Sequence, residues 1–315
     1  MEGILRWVLV TAVAPVAWGT NYYVTHAFLP DGHPLYGAAI RALPAGLLLW
    51  AVRRTWPRGA WWWRSLVLGL LNMGGFFALV YVAAQRLPTS LASVVMALSP
   101  LVMALCAWGL VGERPRVAHL VGAVVGAGGV GLMLLTASVA VDAVGVLASV
   151  GAMGMSSLGY VLAKRWSAAD GAGVDVWAST AWQLLAGGLV LVPCAVVVEG
   201  APPALDGRAW LGFGYVTVVA TAVAFAAWFA GLRRLPAATV GLVGLLNPVT
   251  GVLLGTALSG EALGWREWCG LVLVWGGVLL GRPGGGAGRA GAMARGSAVR
   301  VRGGEEMAGK GGGGR

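Results

Sequence analysis

The amino-acid sequence predicts an all-α integral membrane protein whose ten transmembrane helices form two five-helix repeats of inverted topology. Three observations lead to this fold class. The 315-residue chain is 58% hydrophobic and only 11% charged, whereas a typical soluble domain carries about 25% charged residues. The chain divides into ten apolar runs, and a passage from its first half recurs in its second half.

Each apolar run is long enough for a helix to cross the hydrocarbon core of a bilayer, which takes about 20 residues. We expect the first run to be a retained span rather than a cleaved signal peptide. The apolar stretch before "AVA" at 12–14 is short, and Glu2 weakens the basic flank that a signal peptide carries. The ten runs cover residues 4–24, 34–52, 62–84, 89–111, 117–136, 143–163, 176–198, 209–231, 237–258 and 264–281.

The basic residues between the runs predict the orientation of the chain. If the N-terminus is cytoplasmic, eleven Lys and Arg residues lie on the inner side before the tail, and three, Arg86, Arg208 and Arg266, lie on the outer side. Cytoplasmic loops carry such an excess of basic residues. The sequence therefore predicts a multi-pass protein of the cell membrane with both termini in the cytoplasm. Residues 282–315, which are Gly-rich and basic, are predicted to be a disordered cytoplasmic tail.

The composition also excludes several classes of function. The net charge of +10 comes from loop flanks and the tail, not from a basic stripe with exposed aromatic residues, so we expect lipid and no nucleic acid as a partner. The three cysteines lie in apolar runs without metal-ligand spacing. No Walker A, zincin or G-x-S-x-G motif is present. We therefore expect no metal, no cofactor and no enzymatic activity.

The repeated passage reads "QRLPTSLASVVMALSPLVMALCAWGLVGE" at 85–113 and "RRLPAATVGLVGLLNPVTGVLLGTALSGE" at 233–261, 148 positions later. Between 83–132 and 231–280 there are 16 identities in 50 aligned positions. Five spans separate each copy from the other, and because five is odd, the copies cross the membrane in opposite directions. We therefore predict five-helix repeats at 1–136 and 143–281, the architecture of many secondary transporters.

Two prolines in the middle of spans occupy equivalent places in the repeat. Pro100 and Pro248 each remove a backbone donor, and the polar residues Ser99 and Asn247 precede them. Paired interruptions of this kind indicate a solute site near the bilayer midplane. A packing kink that neighbouring helices satisfy is the alternative, and the sequence leaves both open.

Polar and aromatic residues inside spans are costly in lipid and are therefore candidates for a solute pathway. Arg41, the one charge well inside a span, either snorkels outward, binds a substrate carboxylate or pairs with backbone carbonyls. The other candidates share a second interpretation, which is an interhelical hydrogen bond or an interface aromatic residue. They are Trp18, Asn21, Tyr22, Asn72, Tyr160, Trp182, Gln183, Tyr215 and Trp228.

Four passages of the sequence carry a family resemblance: "AWGTNYYV" at 17–24, "IRALPAGLLL" at 40–49, and the Pro-to-Gly-Glu passages at 100–113 and 248–261. They resemble, in that order, the first-span motif, the second-span motif and the end of each repeat in the EamA-type branch of the drug/metabolite transporter superfamily. The resemblance covers about 1–281 and implies ten spans, a five-plus-five inverted arrangement and the outward movement of small metabolites. Glu113 and Glu261 match the family's Glu, and we expect both to steady helix starts.

The sequence thus predicts a secondary transporter that exports small organic solutes by alternating access. A passive facilitator or channel is the first alternative, and a membrane-embedded enzyme is the second. The identity of the solute is left open by the sequence, and so is the choice between a monomer and a homodimer.

Overall fold

The structure is a computed structural model that describes residues 2–28, 32–87, 89–134, 142–169, 174–259 and 263–281. These described residues form α- and π-helices and no β-strand. Eight of the helices are long and apolar enough to cross a membrane, and Gly3–Gly19 is a shorter apolar helix. The chain is therefore a multi-pass membrane protein, and its described part is helical. The tail predicted at 282–315 lies outside the described residues.

The described helices join into ten rods, numbered α1 to α10 along the chain, which coincide with the ten predicted apolar runs. Five rods are single helices: α2 Pro34–Arg53, α5 Val117–Leu134, α6 Ala143–Ala169, α7 Val176–Glu199 and α10 Trp265–Leu280. The other five are interrupted: α1 (2–28) by a break after Gly19, α3 (61–86) by a π-helix, α4 (89–111) by a break, α8 (207–232) by a π-helix and α9 (237–259) by a break.

The interruptions of α3, α4, α8 and α9 occur at matching places in the two halves. The π-helices cover Leu70–Gly74 and Val218–Val223, and their first residues are 148 positions apart. The break in α4 separates Thr89–Met96 from Ser99–Val111, and the break in α9 separates Ala237–Gly244 from Leu246–Ser259. Each break lies just before a proline that has no N–H to donate to the preceding turn. The sequence predicted the proline kinks and did not predict the π-helices.

Small residues allow some of the rods to approach each other closely, as expected in lipid, where no hydrophobic force drives helices together. In the α5–α10 pair, a Cβ built on Gly122 would lie 2.5 Å from the carbonyl oxygen of Gly277. In the α2–α7 pair, a Cβ on Gly46 would lie 2.9 Å from the backbone nitrogen of Leu185. Each pair joins one rod of the first half to one rod of the second half.

Contacts between loops define the two ends of the bundle. At one end, Arg53 Nε lies 2.8 Å from Asp175 Oδ2, and Lys164 Nζ lies 2.5 Å from Glu113 Oε1. These contacts, with the hydrogen bond from Lys164 Nζ to the carbonyl of Leu235, bring together residues 54–60, 112–116, 174–175 and 233–236, which we call the basic end. At the opposite end, Glu199 Oε1 accepts a hydrogen bond of 2.6 Å from the backbone N–H of Leu35.

Candidate functional site

A cavity of about 280 Å³ lies between the rods and is lined by both halves of the chain. Eight of the predicted pathway and kink residues line it: Trp18, Asn21, Arg41, Ser99, Tyr160, Trp228, Asn247 and Pro248. These side chains come from α1, α2, α4, α6, α8 and α9, so residues far apart in sequence meet at one place.

Both proline-interrupted rods contribute their breaks to the cavity wall. Met96 and Ser99 of α4 line the cavity, and so do Gly244 and Asn247 of α9. Met96 and Gly244 stand four residues before Pro100 and Pro248, so neither carbonyl can receive the α-helical hydrogen bond that a residue with an N–H would donate. The two breaks therefore place backbone and side-chain polar groups beside the same space.

The π-helix of α8 presents a backbone carbonyl to two other rods. The N–H of Ala224 bonds to the carbonyls of Val219 and Thr221, and so it does not engage the carbonyl of Ala220 four residues before it. That carbonyl instead accepts a hydrogen bond of 3.1 Å from Trp18 Nε1 and one of 3.0 Å from Arg41 Nη2. A π-turn thus connects α1, α2 and α8 at the cavity.

Arg41 is held at the cavity by neutral partners. Its Nε donates a hydrogen bond of 2.9 Å to Thr221 Oγ1, and its guanidinium carbon lies 5.6 Å from the ring centre of Phe77. Among the described residues no carboxylate forms an ion pair with Arg41. The guanidinium therefore brings to the wall of the cavity a positive charge that no carboxylate of the described part of the chain compensates.

Four buried polar atoms of the cavity wall have no hydrogen-bond partner among the described residues. They are Asn21 Oδ1, Ser157 Oγ, Trp228 Nε1 and Asn247 Oδ1. An unpaired polar group costs free energy when it is removed from water, so such groups are normally satisfied in native proteins. Their convergence on one cavity is what a site for a polar solute or for water requires.

An aromatic wall accompanies these polar groups. The ring centres of Trp18 and Phe225 are 5.1 Å apart, those of Trp18 and Trp228 are 5.3 Å apart, and those of Tyr160 and Trp228 are 5.4 Å apart. Phe77 faces the same cavity and stands 148 positions before Phe225. The cavity therefore offers flat apolar surfaces from both halves of the chain.

Three other candidates from the sequence form interhelical contacts away from the cavity. The fully buried Asn72 donates a hydrogen bond of 2.9 Å from Nδ2 to Oε1 of Gln183, which joins α3 to α7. Tyr215 shares a hydrogen bond of 2.7 Å with the hydroxyl of Thr20. The side chain of Tyr22 lies outside the described part of the chain.

Trp182 lies at the basic end. Its Nε1 donates a hydrogen bond of 2.8 Å to the carbonyl of Thr55, and its ring centre is 5.8 Å from that of Trp61. These contacts fasten α7 to the loop between α2 and α3.

Pro100 lies at the crossing of α4 and α9. A Cβ built on Gly241 would be 2.9 Å from Pro100 Cα and 3.4 Å from Met103 Sδ, so the two rods touch through a glycine on the side of the cavity towards the basic end. In the repeat, Gly241 corresponds to Ser93 and Pro100 corresponds to Pro248. Both of these line the cavity.

Glu113 joins three rods at the basic end. Its Oε1 lies 2.5 Å from Lys164 Nζ, and its Oε2 accepts a hydrogen bond of 2.9 Å from the N–H of Ala237, the first residue of α9. Lys164 also donates a hydrogen bond of 2.6 Å to the carbonyl of Leu235. The Glu113–Lys164 pair therefore closes the basic end between α4, α6 and α9. Glu261 lies outside the described residues.

Several residues of the cavity wall were missed by the sequence analysis. The phenylalanines gave no signal, because Phe in an apolar span is as common towards lipid as towards a cavity. Ser93 and Ser157 are small hydroxyl residues that bond to their own helix in most membrane proteins. Phe77 and Phe225 are 148 positions apart, which is the offset of the repeat, and this spacing could have identified both as candidates for the cavity wall. The missed residues are Phe76, Phe77, Val80, Ser93, Met96, Ala97, Met103, Ser157, Phe225, Gly244 and Leu245.

Comparisons with known proteins agree with this architecture. Protein PecM of Dickeya dadantii (strain 3937) is 35% identical over 269 residues, which are 85% of this chain and 89% of PecM. The "Uncharacterized inner membrane transporter YedA" of Escherichia coli (strain K12) is 30% identical over 275 residues, 84% of this chain and 87% of YedA. A solved crystal structure with 23% identity superposes with a TM-score of 0.75 and covers 87% of this chain and 96% of its own. Because the chain also matches the EamA-like transporter family twice, over 5–135 and 143–281, it belongs to that family.

Proposed function

We propose that the protein is a secondary transporter that moves small organic solutes across the cytoplasmic membrane by alternating access, in the direction of export. The observation that carries this proposal is the cavity between α4 and α9, whose breaks stand at equivalent places in the two halves. Paired helix interruptions around a central cavity are the usual solute site of inverted-repeat transporters. Export is the direction that the resemblance of the sequence implies.

An inverted five-plus-five repeat is supported by the two separate family matches and by the π-helices, whose starts are 148 positions apart. The loop after Arg233 belongs to the basic end, whereas the equivalent loop at Arg86 belongs to the opposite end, where Arg86 Nη1 lies 3.8 Å from Asp142 Oδ2. Because basic loops are retained in the cytoplasm, we place the basic end and both termini inside the cell.

Alternating access requires two states. We expect the contact between α4 and α9 at Gly241 and Pro100 to form in one state and the equivalent contact at Ser93 and Pro248 to form in the other. Pro100 packs on Gly241 and the Glu113–Lys164 pair joins the same end, which supports a path to the cytoplasm that is closed in this state. The equivalent residues Ser93 and Pro248 line the cavity. In the second state we expect Ser93 to approach Pro248 while Gly241 separates from Pro100, which would open the cavity to the cytoplasm.

Counterflow in proteoliposomes tests this function. A solute found by screening growth resistance on overexpression is sealed inside vesicles that contain the full chain, and a trace of radiolabelled solute is added outside. A carrier accumulates label above equilibrium because each exit of unlabelled solute returns the site to the other face. A passive pore only equilibrates the label whatever the vesicles contain, and that result would overturn alternating access.

The inverted arrangement has its own test. Single cysteines placed at Arg86 and Arg233, in a chain without its three native cysteines, are treated with a membrane-impermeant maleimide in whole cells and in inverted vesicles. We expect the Arg86 position to react in cells and the Arg233 position to react in inverted vesicles. Reaction of both positions from the same face would refute the inverted repeat.

A further inference from the structure

The chemistry of the cavity identifies a class of solute. Resting on the proposed transport function, we infer that the cavity takes a small planar aromatic monocarboxylate and rejects the cationic analogue of the same ring. Three features of the wall lead to this class: the charge on Arg41, the aromatic surfaces and the unpaired polar atoms.

The charge of the solute follows from Arg41. Among the described residues that line the cavity, Arg41 is the charged one, and no Asp or Glu is present. A guanidinium has five N–H donors, and Arg41 uses Nε and Nη2 on the neutral acceptors Thr221 and Ala220. The remaining donors can bind a carboxylate. One cation balances one negative charge, whereas a cationic solute would meet a like charge with no carboxylate beside it.

The shape of the solute follows from the aromatic surfaces and from the volume. Six rings line the cavity, three of them on α8 and α6 beside Trp18. Aromatic rings bind flat apolar bodies in offset or edge-to-face geometry. The cavity volume of about 280 Å³ is at the lower limit of ligand pockets, which begin near about 300 Å³. One or two fused rings therefore suit the space.

The unpaired polar atoms add a third requirement. The amide oxygens of Asn21 and Asn247 accept hydrogen bonds, and Trp228 Nε1 donates one. A solute with a ring N–H or hydroxyl in addition to its carboxylate would satisfy groups that are otherwise unpaired. An indole ring with a short acidic side chain has all three properties and serves as a probe of the class.

Binding to the purified full chain in detergent tests the inference with three probes that share one ring. Indole-3-acetate is anionic, indole-3-acetamide is neutral and tryptamine is cationic. By isothermal titration calorimetry we expect indole-3-acetate to bind at least about tenfold more tightly than the amide, as a charge-assisted hydrogen bond implies, and we expect no binding of tryptamine. Equal affinities for the three probes, or no binding of any of them, would overturn the class.

The role of Arg41 is separated from a general effect on folding by its variants. In Arg41→Gln we expect the affinity for indole-3-acetate to fall at least about tenfold and the affinity for the amide to stay unchanged. Arg41→Lys, which keeps the charge without the planar fork, should retain part of the preference. Arg266→Gln, which removes an exposed cation at the opposite end, is the control. An equal loss for all probes in Arg41→Gln would refute recognition of charge.

The outcome for the solute class is distinguishable from the outcome for transport. Counterflow of an aliphatic or cationic solute, without binding of indole-3-acetate, would leave alternating access standing and overturn the aromatic carboxylate. Binding of indole-3-acetate with the expected charge preference, but without counterflow, would support the class and overturn the carrier.

Discussion

Breaking the Glu113–Lys164 pair should open the basic end of the bundle. Lys164→Met removes the ammonium that bonds both Glu113 Oε1 and the carbonyl of Leu235. Glu113→Gln removes the charge but leaves an amide oxygen that can still accept from the N–H of Ala237. We therefore expect the lysine variant to have the larger effect of the two.

The size of the effect follows from the geometry of the pair. The charged atoms are 2.5 Å apart, and the side chains of Lys164 and Glu113 are 13% and 29% exposed. Hydrogen bonds to charged groups contribute about 1.5–3 kcal/mol net, and every 1.4 kcal/mol is about tenfold in an equilibrium. The population open at the basic end should therefore rise about ten- to 150-fold in Lys164→Met.

Accessibility of the cavity measures this population. Ser99→Cys places a thiol on the cavity wall in a chain whose three native cysteines are replaced by serine or alanine. In inverted vesicles, where the proposed orientation brings the basic end to the bath, an impermeant maleimide should react with this thiol at least about tenfold faster in Lys164→Met than in the parent. Arg114→Gln, which removes an exposed cation at the same end, should leave the rate unchanged.

Two results would refute this reasoning. One is an unchanged labelling rate in both Lys164→Met and Glu113→Gln. The other is an equal acceleration in right-side-out vesicles, which would indicate general loosening of the bundle. The double variant should react no faster than Lys164→Met alone, because residues of one network are not additive. A further large increase would show that the two side chains act independently.

Three other substitutions have definite expected outcomes in thermal unfolding of the purified protein. Gly19→Ala should destabilise the protein by about 1–3 kcal/mol, because the added Cβ would lie 2.5 Å from Thr250 Cβ. The control Gly37→Ala, whose Cβ would meet nothing within 4 Å, should be neutral or stabilising. Equal shifts of the melting temperature in the two variants would contradict this. Asn72→Ala should cost about 1–3 kcal/mol by leaving buried Gln183 without its donor, and a double-mutant cycle with Gln183→Ala that shows no coupling would disprove the pair. Glu199→Ala should cost about 1–2 kcal/mol, because its carboxylate caps the first turn of α2; a melting temperature equal to that of the parent would count against this cap.

The sequence located the helices and most of the polar part of the cavity, for reasons of solvation. A run of about 20 apolar residues has one stable form in lipid, so the rods follow from composition. Arg41 and Asn247 stood out because polar groups inside a span are costly. The same signal also selected Asn72 and Gln183. The residue type alone does not distinguish a polar side chain that bonds across two helices from one that lines a cavity.

The π-helices could not be predicted from one sequence, and in the aromatic wall Phe77 and Phe225 gave only the signal of their 148-position spacing. A π-turn is stable only when its altered hydrogen bonds find partners, and in α8 those partners are Trp18 and Arg41, about 200 positions away. Phe225 in an apolar span is compatible with lipid and with a cavity alike, and the register of its rod decides between them. Contacts that are distant in sequence therefore determine this part of the site.

The π-turns also connect the count of residues in a rod to the direction in which its side chains point. Each residue of an α-helix turns the chain by about 100°, so one added residue rotates everything that follows it. Phe77 lies in the first turn of α-helix after Gly74, where the first π-turn ends, and Phe225 lies in the first turn after Val223, where the second ends. Removing a single alanine from Val218–Val223 would swing the rings of Phe225 and Trp228 out of the central space, although neither ring had been altered. The direction in which the rings of the cavity wall point thus depends on the number of residues in the rod as well as on side-chain identity.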